Sequence, residues 1–209
     1  MPDLGQEHRV DLMRRPRIHL QWTGRDDYLS IEYHPGQGQP TEEEQPLSEE
    51  QKEHIRQLQR VVRSKLLFFF RRQQELSSLL EHLQLGISLS QLEGEEMRDL
   101  VESLMGRCAT LLRSDIAWQQ LLDGTDRYIC QSLARDTVRL RMELSAFFDD
   151  NSLRVFCYDL RGKHGLRVQY DDLTGETKDA KIVSLIEHFE RRRQLRDLVT
   201  DFVARIGRI

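Results

Sequence analysis

Long apolar runs are missing from this sequence, and with them any stretch that reads as a membrane span, which takes about 18 consecutive apolar residues. The longest run, Leu66-Leu67-Phe68-Phe69-Phe70, is flanked by Lys65, Arg71 and Arg72. Cysteine is sparse. Cys108, Cys130 and Cys157 lie far apart and show no C-x-x-C spacing. An odd, scattered set argues against a disulfide framework. Each falls on or near an apolar helical stripe, so buried free thiols are expected. Met1 to Val10 is polar and lacks an apolar signal core, which points to a cytoplasmic protein. Charge of one sign is absent too: 31 Lys and Arg face 35 Asp and Glu, for a net charge of −4. No global field draws such a chain to nucleic acid or membrane.

Catalytic spacings are also lacking. The seven histidines are scattered, with no H-E-x-x-H or other metal-ligand pattern. His164-Gly165 looks like the histidine half of a caspase-like site, but no cysteine follows it. His164 is therefore expected in a loop. His54, His82 and His188 have charged helical neighbours and are expected at the surface. Gly36-Gln37-Gly38 lacks the strand, helix and G-K-S/T of a phosphate loop. Trp22 and Trp118 read as core anchors, and Glu95-Glu96 as a helix start, where the dipole favours negative charge. No catalytic residue, metal or cofactor is expected.

What the chain does carry is apolar residues at helical spacing, so the fold class is mainly α, with a β-hairpin near the start. Residues 1–15 read as a lead-in. Ile18, Leu20 and Trp22 alternate with Arg17, His19 and Gln21, and Leu29, Ile31 and Tyr33 alternate likewise. With Gly24-Arg25-Asp26-Asp27 between them, they predict a hairpin over 17–34. An acidic loop, 35–47, holds three prolines and Glu42-Glu43-Glu44. Ser48 and Gln51 form a capping-box pattern. It opens a helix through Ile55, Leu58, Val62, Leu66 and Phe69, extending to Leu85 with Gly86 as its left-handed cap. A break between Arg72 and Ser78 is the alternative to one helix of about 35 residues. Ser90 with Glu93 starts the next helix, with Met97, Leu100, Val101, Leu104, Cys108 and Leu111 inward. Asp115 caps a short helix carrying Ile116, Trp118 and Leu122 and ended by Gly124, and Asp126 to Ala134 forms another, either separate from or continuous with the helix after it. Helices over 49–134 and the hairpin make an N-terminal α+β region, 16–135. No repeat with a period of about 20–50 residues is present.

From Asp136 to Ile209 the stripes define a separate helical bundle. Val138, Leu140, Leu144, Phe147 and Phe148 lie on its first helix. Asp149 or Asp150 caps a second helix, on which Leu153, Phe156, Cys157 and Leu160 stand at i, i+3, i+4 and i+7. Tyr170 to Gly175 is turn chemistry with Leu173 as an inward anchor. Ile182, Leu185, Ile186 and Phe189 mark a third helix, and Leu195, Leu198, Val199, Phe202 and Ile206 a fourth. Arg191, Arg192 and Arg193 close the third helix, where cations suit the dipole, and Glu187 pairs with Arg191 four residues on. That cluster is either a solvated helix end or a basic docking patch. As a patch it would meet Asp171, Asp172 and Glu176 of a neighbouring copy, and unlike patches on different faces give head-to-tail contacts.

The residue order over 136–209 is more distinctive than its periodicity. Phe147-Phe148-Asp149-Asp150-Asn151-Ser152-Leu153-Arg154-Val155-Phe156-Cys157-Tyr158-Asp159-Leu160 resembles the opening of the seventh type of bacterial effector-associated domain. Gln169-Tyr170-Asp171-Asp172-Leu173-Thr174-Gly175-Glu176 resembles its central loop, and Lys181 to Val199 its last two helices. The resemblance implies a Death-like helical bundle: a non-enzymatic adaptor in bacterial conflict and signalling systems. It brings effectors such as caspase-like peptidases or NTPases together through like-with-like contacts. The implied partners are proteins with a matching domain, self-association included; the charge balance places neither membrane nor nucleic acid among them. Two departures stand out: Thr174 occupies a position where the family usually has proline, and the stretch 161–168 is longer than usual. Pro16 to Arg63 is similar to the region ahead of bacterial caspase-like (CHAT) peptidase domains, through Ile18-His19-Leu20-Gln21-Trp22, Tyr28 to Tyr33 and Pro46-Leu47-Ser48. Two other functions stay open: an effector with a divergent enzymatic N-terminal domain tethered by the bundle, and a helical DNA-binding regulator.

Overall fold

The computed structural model describes residues 47–164 and 168–207, with the side chains of 161, 163 and 164 left aside, and the backbones of two short strands. Those strands, β1 (Ile18–Gln21) and β2 (Ser30–Tyr33), pair antiparallel with Ile18 opposite Tyr33. They belong to a unit spanning Met1–Pro46. The expected lead-in, the hairpin's connection with Trp22, and the acidic loop up to Pro46 lie outside the described residues.

The remainder, from Leu47 on, is one compact helical unit. Its first helix, α1 (Glu49–Phe69), opens on the expected capping box. The Gln51 N–H donates to Ser48 Oγ at 3.2 Å, and the Ser48 N–H donates to Gln51 Oε1 at 3.0 Å. The long helical pattern does break, at Phe70–Arg72, and α2 (Gln73–Leu83) follows. Glu75 drives the break by accepting from the N–H groups of Arg71 (3.1 Å) and Arg72 (3.4 Å), an alternative to continuing the helix. The left-handed cap of α2 is Gln84, at φ 51°, two residues before the expected Gly86.

Ser90 does not start a helix. A 3₁₀ turn, Leu89–Gln91, stands there, and α3 (Met97–Leu111) begins after Glu96. Ser114 rather than Asp115 caps α4 (Asp115–Arg135), accepting from the Ala117 N–H at 3.2 Å. Nor does α4 stop at Gly124, so the helix expected over 126–134 is its second half. Glycine at 124 serves a close approach instead: a methyl there would sit 2.7 Å from Leu83 Cδ2. The inward stripes hold with three exceptions: Leu111, Ile116 and Val138 are exposed.

Asp136 ends α4 and caps α5 (Thr137–Phe147) by accepting from the Arg139 N–H at 2.9 Å. Asp149 caps α6 (Asp150–His164) by accepting from the Ser152 N–H at 2.7 Å. His164, expected in a loop, is the last residue of that helix. A second 3₁₀ turn, Tyr170–Asp172, leads to α7 (Lys178–Arg191) and then α8 (Leu195–Arg205).

The boundary expected at 135/136 does not divide two interiors. Apolar side chains from Ile55 to Ile206 form a single buried cluster. The Phe202 ring lies 5.9 Å from Phe69 and 6.4 Å from Phe68 of α1, and 5.6 Å from Phe147 of α5. Stripe periodicity shows that a helix has an inner face but not whose inner face it meets. Two charges are buried in this interior. Lys65 donates to Asp126 at 2.5 Å, and Glu143 accepts from Arg71 at 3.0 Å. Burial raises both carboxyls above their usual range, against the pull of Lys65 on Asp126 and of Arg71 and Arg139 on Glu143.

Candidate docking surface

The turn over Tyr170–Gly175, between α6 and α7, is pinned from three sides. Leu173 is buried as expected. The Thr174 N–H donates to Ser184 Oγ at 3.1 Å, a bond that a proline at 174 could not make. Gly175 holds φ at 105°, and a methyl there would lie 2.3 Å from the Ala180 Cβ. Tyr170 ties the turn to its neighbours. Its hydroxyl donates to Asp150 Oδ1 at 2.6 Å, and Lys181 Nζ stands 3.9 Å from its ring centroid. The hydrogen bond to Asp150, then burial, push the phenol up to about 12.

Thr177 caps α7, accepting from the Ala180 N–H at 3.2 Å. Lys178 Nζ reaches back to the carbonyls of Ser145 (2.8 Å) and Phe148 (2.9 Å), satisfying acceptors at the end of α5. At the far end Arg193 adopts φ 58°, its N–H bonded to the Glu190 carbonyl at 2.9 Å. This tight corner turns the chain into α8.

All six candidate residues are exposed, and they fall into two groups at opposite ends of α7. Asp171, Asp172 and Glu176 precede its N-terminus, while Arg191, Arg192 and Arg193 close it. A helix of 14 residues is about 21 Å long, so one chain cannot bring the groups together. Within each group part of the charge is already matched: Asp171 pairs with Arg154 at 3.3 Å, and Arg191 with Glu187 at 3.3 Å. The side chains of Asp172, Glu176, Arg192 and Arg193 make no hydrogen bond or ion pair to another described residue.

Histidine and cysteine lie elsewhere. His54 and His82 are exposed, but His188, expected outside, is half-buried, and its Nε2 has no partner among the described residues. Burial, then Arg192 and Arg191, hold its pKa below the ordinary imidazole range. Cys108 and Cys157 are buried, their thiols pushed up to about 11, and Cys130 is half-buried. Among the described residues no three His, Cys, Asp or Glu side chains are grouped to hold a metal, and no helix is long and apolar enough to cross a membrane. The sequence patterns did not single out a shallow apolar groove over Val138 and Met142, edged by Arg71, Arg141 and Asp179. An exposed apolar pair at i, i+4 reads in sequence like any inward stripe.

Residues 139–204 match the family model of effector-associated domain 7. The matched segment holds α5 almost entire, α6, the pinned turn, α7 and nearly all of α8, and so contains both candidate groups. No curated protein and no solved structure gives a significant match to the chain. An effector-associated domain points to a role in effector systems.

Proposed function

We propose that this protein is a non-enzymatic adaptor of a bacterial conflict or signalling system, which gathers effectors through contacts between like domains. The observation that carries this reading is the polarity of α7 within the matched segment. Unmatched cations, Arg192 and Arg193, stand at one end, and unmatched anions, Asp172 and Glu176, at the other. One copy's arginine end meets the acidic turn of the next, a heterologous contact that extends into rings or filaments. Charged surfaces of this kind set register and choice of partner more than raw affinity. The partners are proteins with a matching domain, peptidase or NTPase effectors among them. The match to an effector-associated domain over residues 139–204 supports placing the chain in such a system.

Sedimentation velocity of the full chain tests the contact. Arg192→Glu and Asp172→Arg each reduce self-association about tenfold or more, and an equimolar mixture of the two variants regains it. If both variants sediment like the parent across concentration and salt, this contact does not exist.

A further inference from the structure

The helices α1–α4 repeat α5–α8 in order, and the correspondence reaches individual residues. Both runs read helix, helix, 3₁₀ turn, helix, helix. The first helix ends on Phe69-Phe70 in one and Phe147-Phe148 in the other, the second phenylalanine extended in both. Leu76, Leu79 and Leu80 are buried on α2, as Leu153, Phe156 and Cys157 are on α6, each pair 77 residues apart. Ile87 and Val168 are buried ahead of the two 3₁₀ turns, and Leu92 and Leu173 behind them.

The turns match in finer detail. The Glu93 N–H donates to Ser103 Oγ at 2.9 Å, as the Thr174 N–H does to Ser184 Oγ at 3.1 Å. Gly94 has φ 110° and Gly175 φ 105°. A methyl on either would lie 2.3 Å from the Cβ of the residue five further on, Asp99 or Ala180. These pairs are 81 residues apart, and the longer connection over 161–168 accounts for the change from 77. Lys65 and Glu143, the two buried charged side chains among the described residues, each stand four residues before the matched phenylalanine, Phe69 or Phe147. Helical packing alone supplies stripes. It does not supply the same side-chain bond, the same left-handed glycine and a buried ionisable side chain, Lys65 or Glu143, at matching offsets.

We infer that α1 to α4, over residues 49–124, are a diverged copy of the module that α5–α8 form, and that α1 together with α4 presents a docking face for a module of this class, occupied here by the chain's own α5–α8. Gly124 corresponds to Arg205, the last residue of α8. The first module therefore ends inside the continuous helix α4, at Gly124, and the rest of α4 carries the chain to Asp136. The docked face is apolar. It includes the rings of Phe68 and Phe69 against Phe202, and Gly207 lies so near Val61 that a methyl on it would sit 2.9 Å from Val61 Cγ1. The inference uses the family match at 139–204 and stands whether or not two chains associate through α7.

Two measurements on the full chain test it. The first is an experimentally determined structure, in which α1–α4 superpose on α5–α8 with Gly94 over Gly175 and Ser103 over Ser184. Failure of that register ends the claim of a second copy. The second is a protease site inserted between Arg135 and Asp136 and cut after folding. The halves then co-elute at about 1 μM, which requires a Kd below that value, and part only in denaturant. Halves that separate as two folded species overturn the docking face. If the insertion itself prevents folding, urea unfolding of the uncut chain gives the readout: Phe69→Ala and Phe202→Ala each destabilise and their combination is less than additive, whereas full additivity overturns the docking face.

Discussion

Tyr170 shows what a single residue contributes to this fold and how its contribution titrates. Its phenol donates to Asp150 across the corner between the central turn and α6. Phenylalanine would keep the ring and lose that bond, at a cost of about 1–2 kcal/mol. Urea unfolding of Tyr170→Phe at neutral pH checks the figure, and an unchanged midpoint would show that the bond is replaced by solvent. The pH dependence has a definite sign. The folded phenol titrates at about 12, above its ordinary value of 10. The bond's stabilisation is therefore complete below pH about 10 and lost as pH rises towards 12. In an ultraviolet titration Tyr170 ionises late, and Tyr170→Phe removes that late step. Leu173 could be read as buried from the turn around it, because the cue is local. The Tyr170–Asp150 bond could not, since its partners are 20 residues apart and nothing in either residue type names the other.

At the scale of elements, glycines separate two kinds of constraint. Gly175 combines a left-handed φ with a near collision at Ala180. Gly175→Ala is expected to cost about 2 kcal/mol or more, from strain and displacement of α7 together. Gly106 sits inside α3 with nothing near the position of an added methyl. There alanine should raise stability by about 0.5–1 kcal/mol, since glycine is the weaker helix former. Paired thermal melts check both signs, and a Gly106→Ala variant that loses stability would mean the α3 backbone is not helical there. Element types were legible almost throughout, through stripes and caps such as Ser48 with Gln51. Boundaries were less so, for identifiable reasons. Glu75 moved a break that periodicity alone left loose, and Gln84 took the cap position expected at Gly86, which is itself left-handed at φ 68°. Helix α4 passes Gly124 because a glycine inside a helix costs only about 1 kcal/mol, which the packing of α2 against α4 offsets.

At the scale of the molecule, the grouping of helices was the least legible level. The exposure of the six charged candidates was readable because charge in a helix end or polar turn needs no tertiary partner to be seen. The shared interior was not, because apolar stripes on α1, α4 and α8 carry no mark of which pairs with which. The duplicated order also escaped the sequence, since its period of 77–81 residues is long and the repeated positions conserve burial and geometry more than identity. A consequence follows for residues 136–209 in isolation. Without α1 and α4, Phe202 loses its ring partners Phe68 and Phe69, and burying one such side chain is worth about 1.5–3 kcal/mol. Several further contacts along α8 go with it, against a total stability of only about 5–15 kcal/mol for a domain. The fragment 136–209 should therefore be only partly folded or aggregated, binding a hydrophobic dye, while 47–209 melts as one cooperative transition. Circular dichroism melts of the two fragments measure this directly. A 136–209 fragment that is monomeric and melts as sharply as the longer one would show that the shared core contributes little, and that the second bundle stands by itself after all.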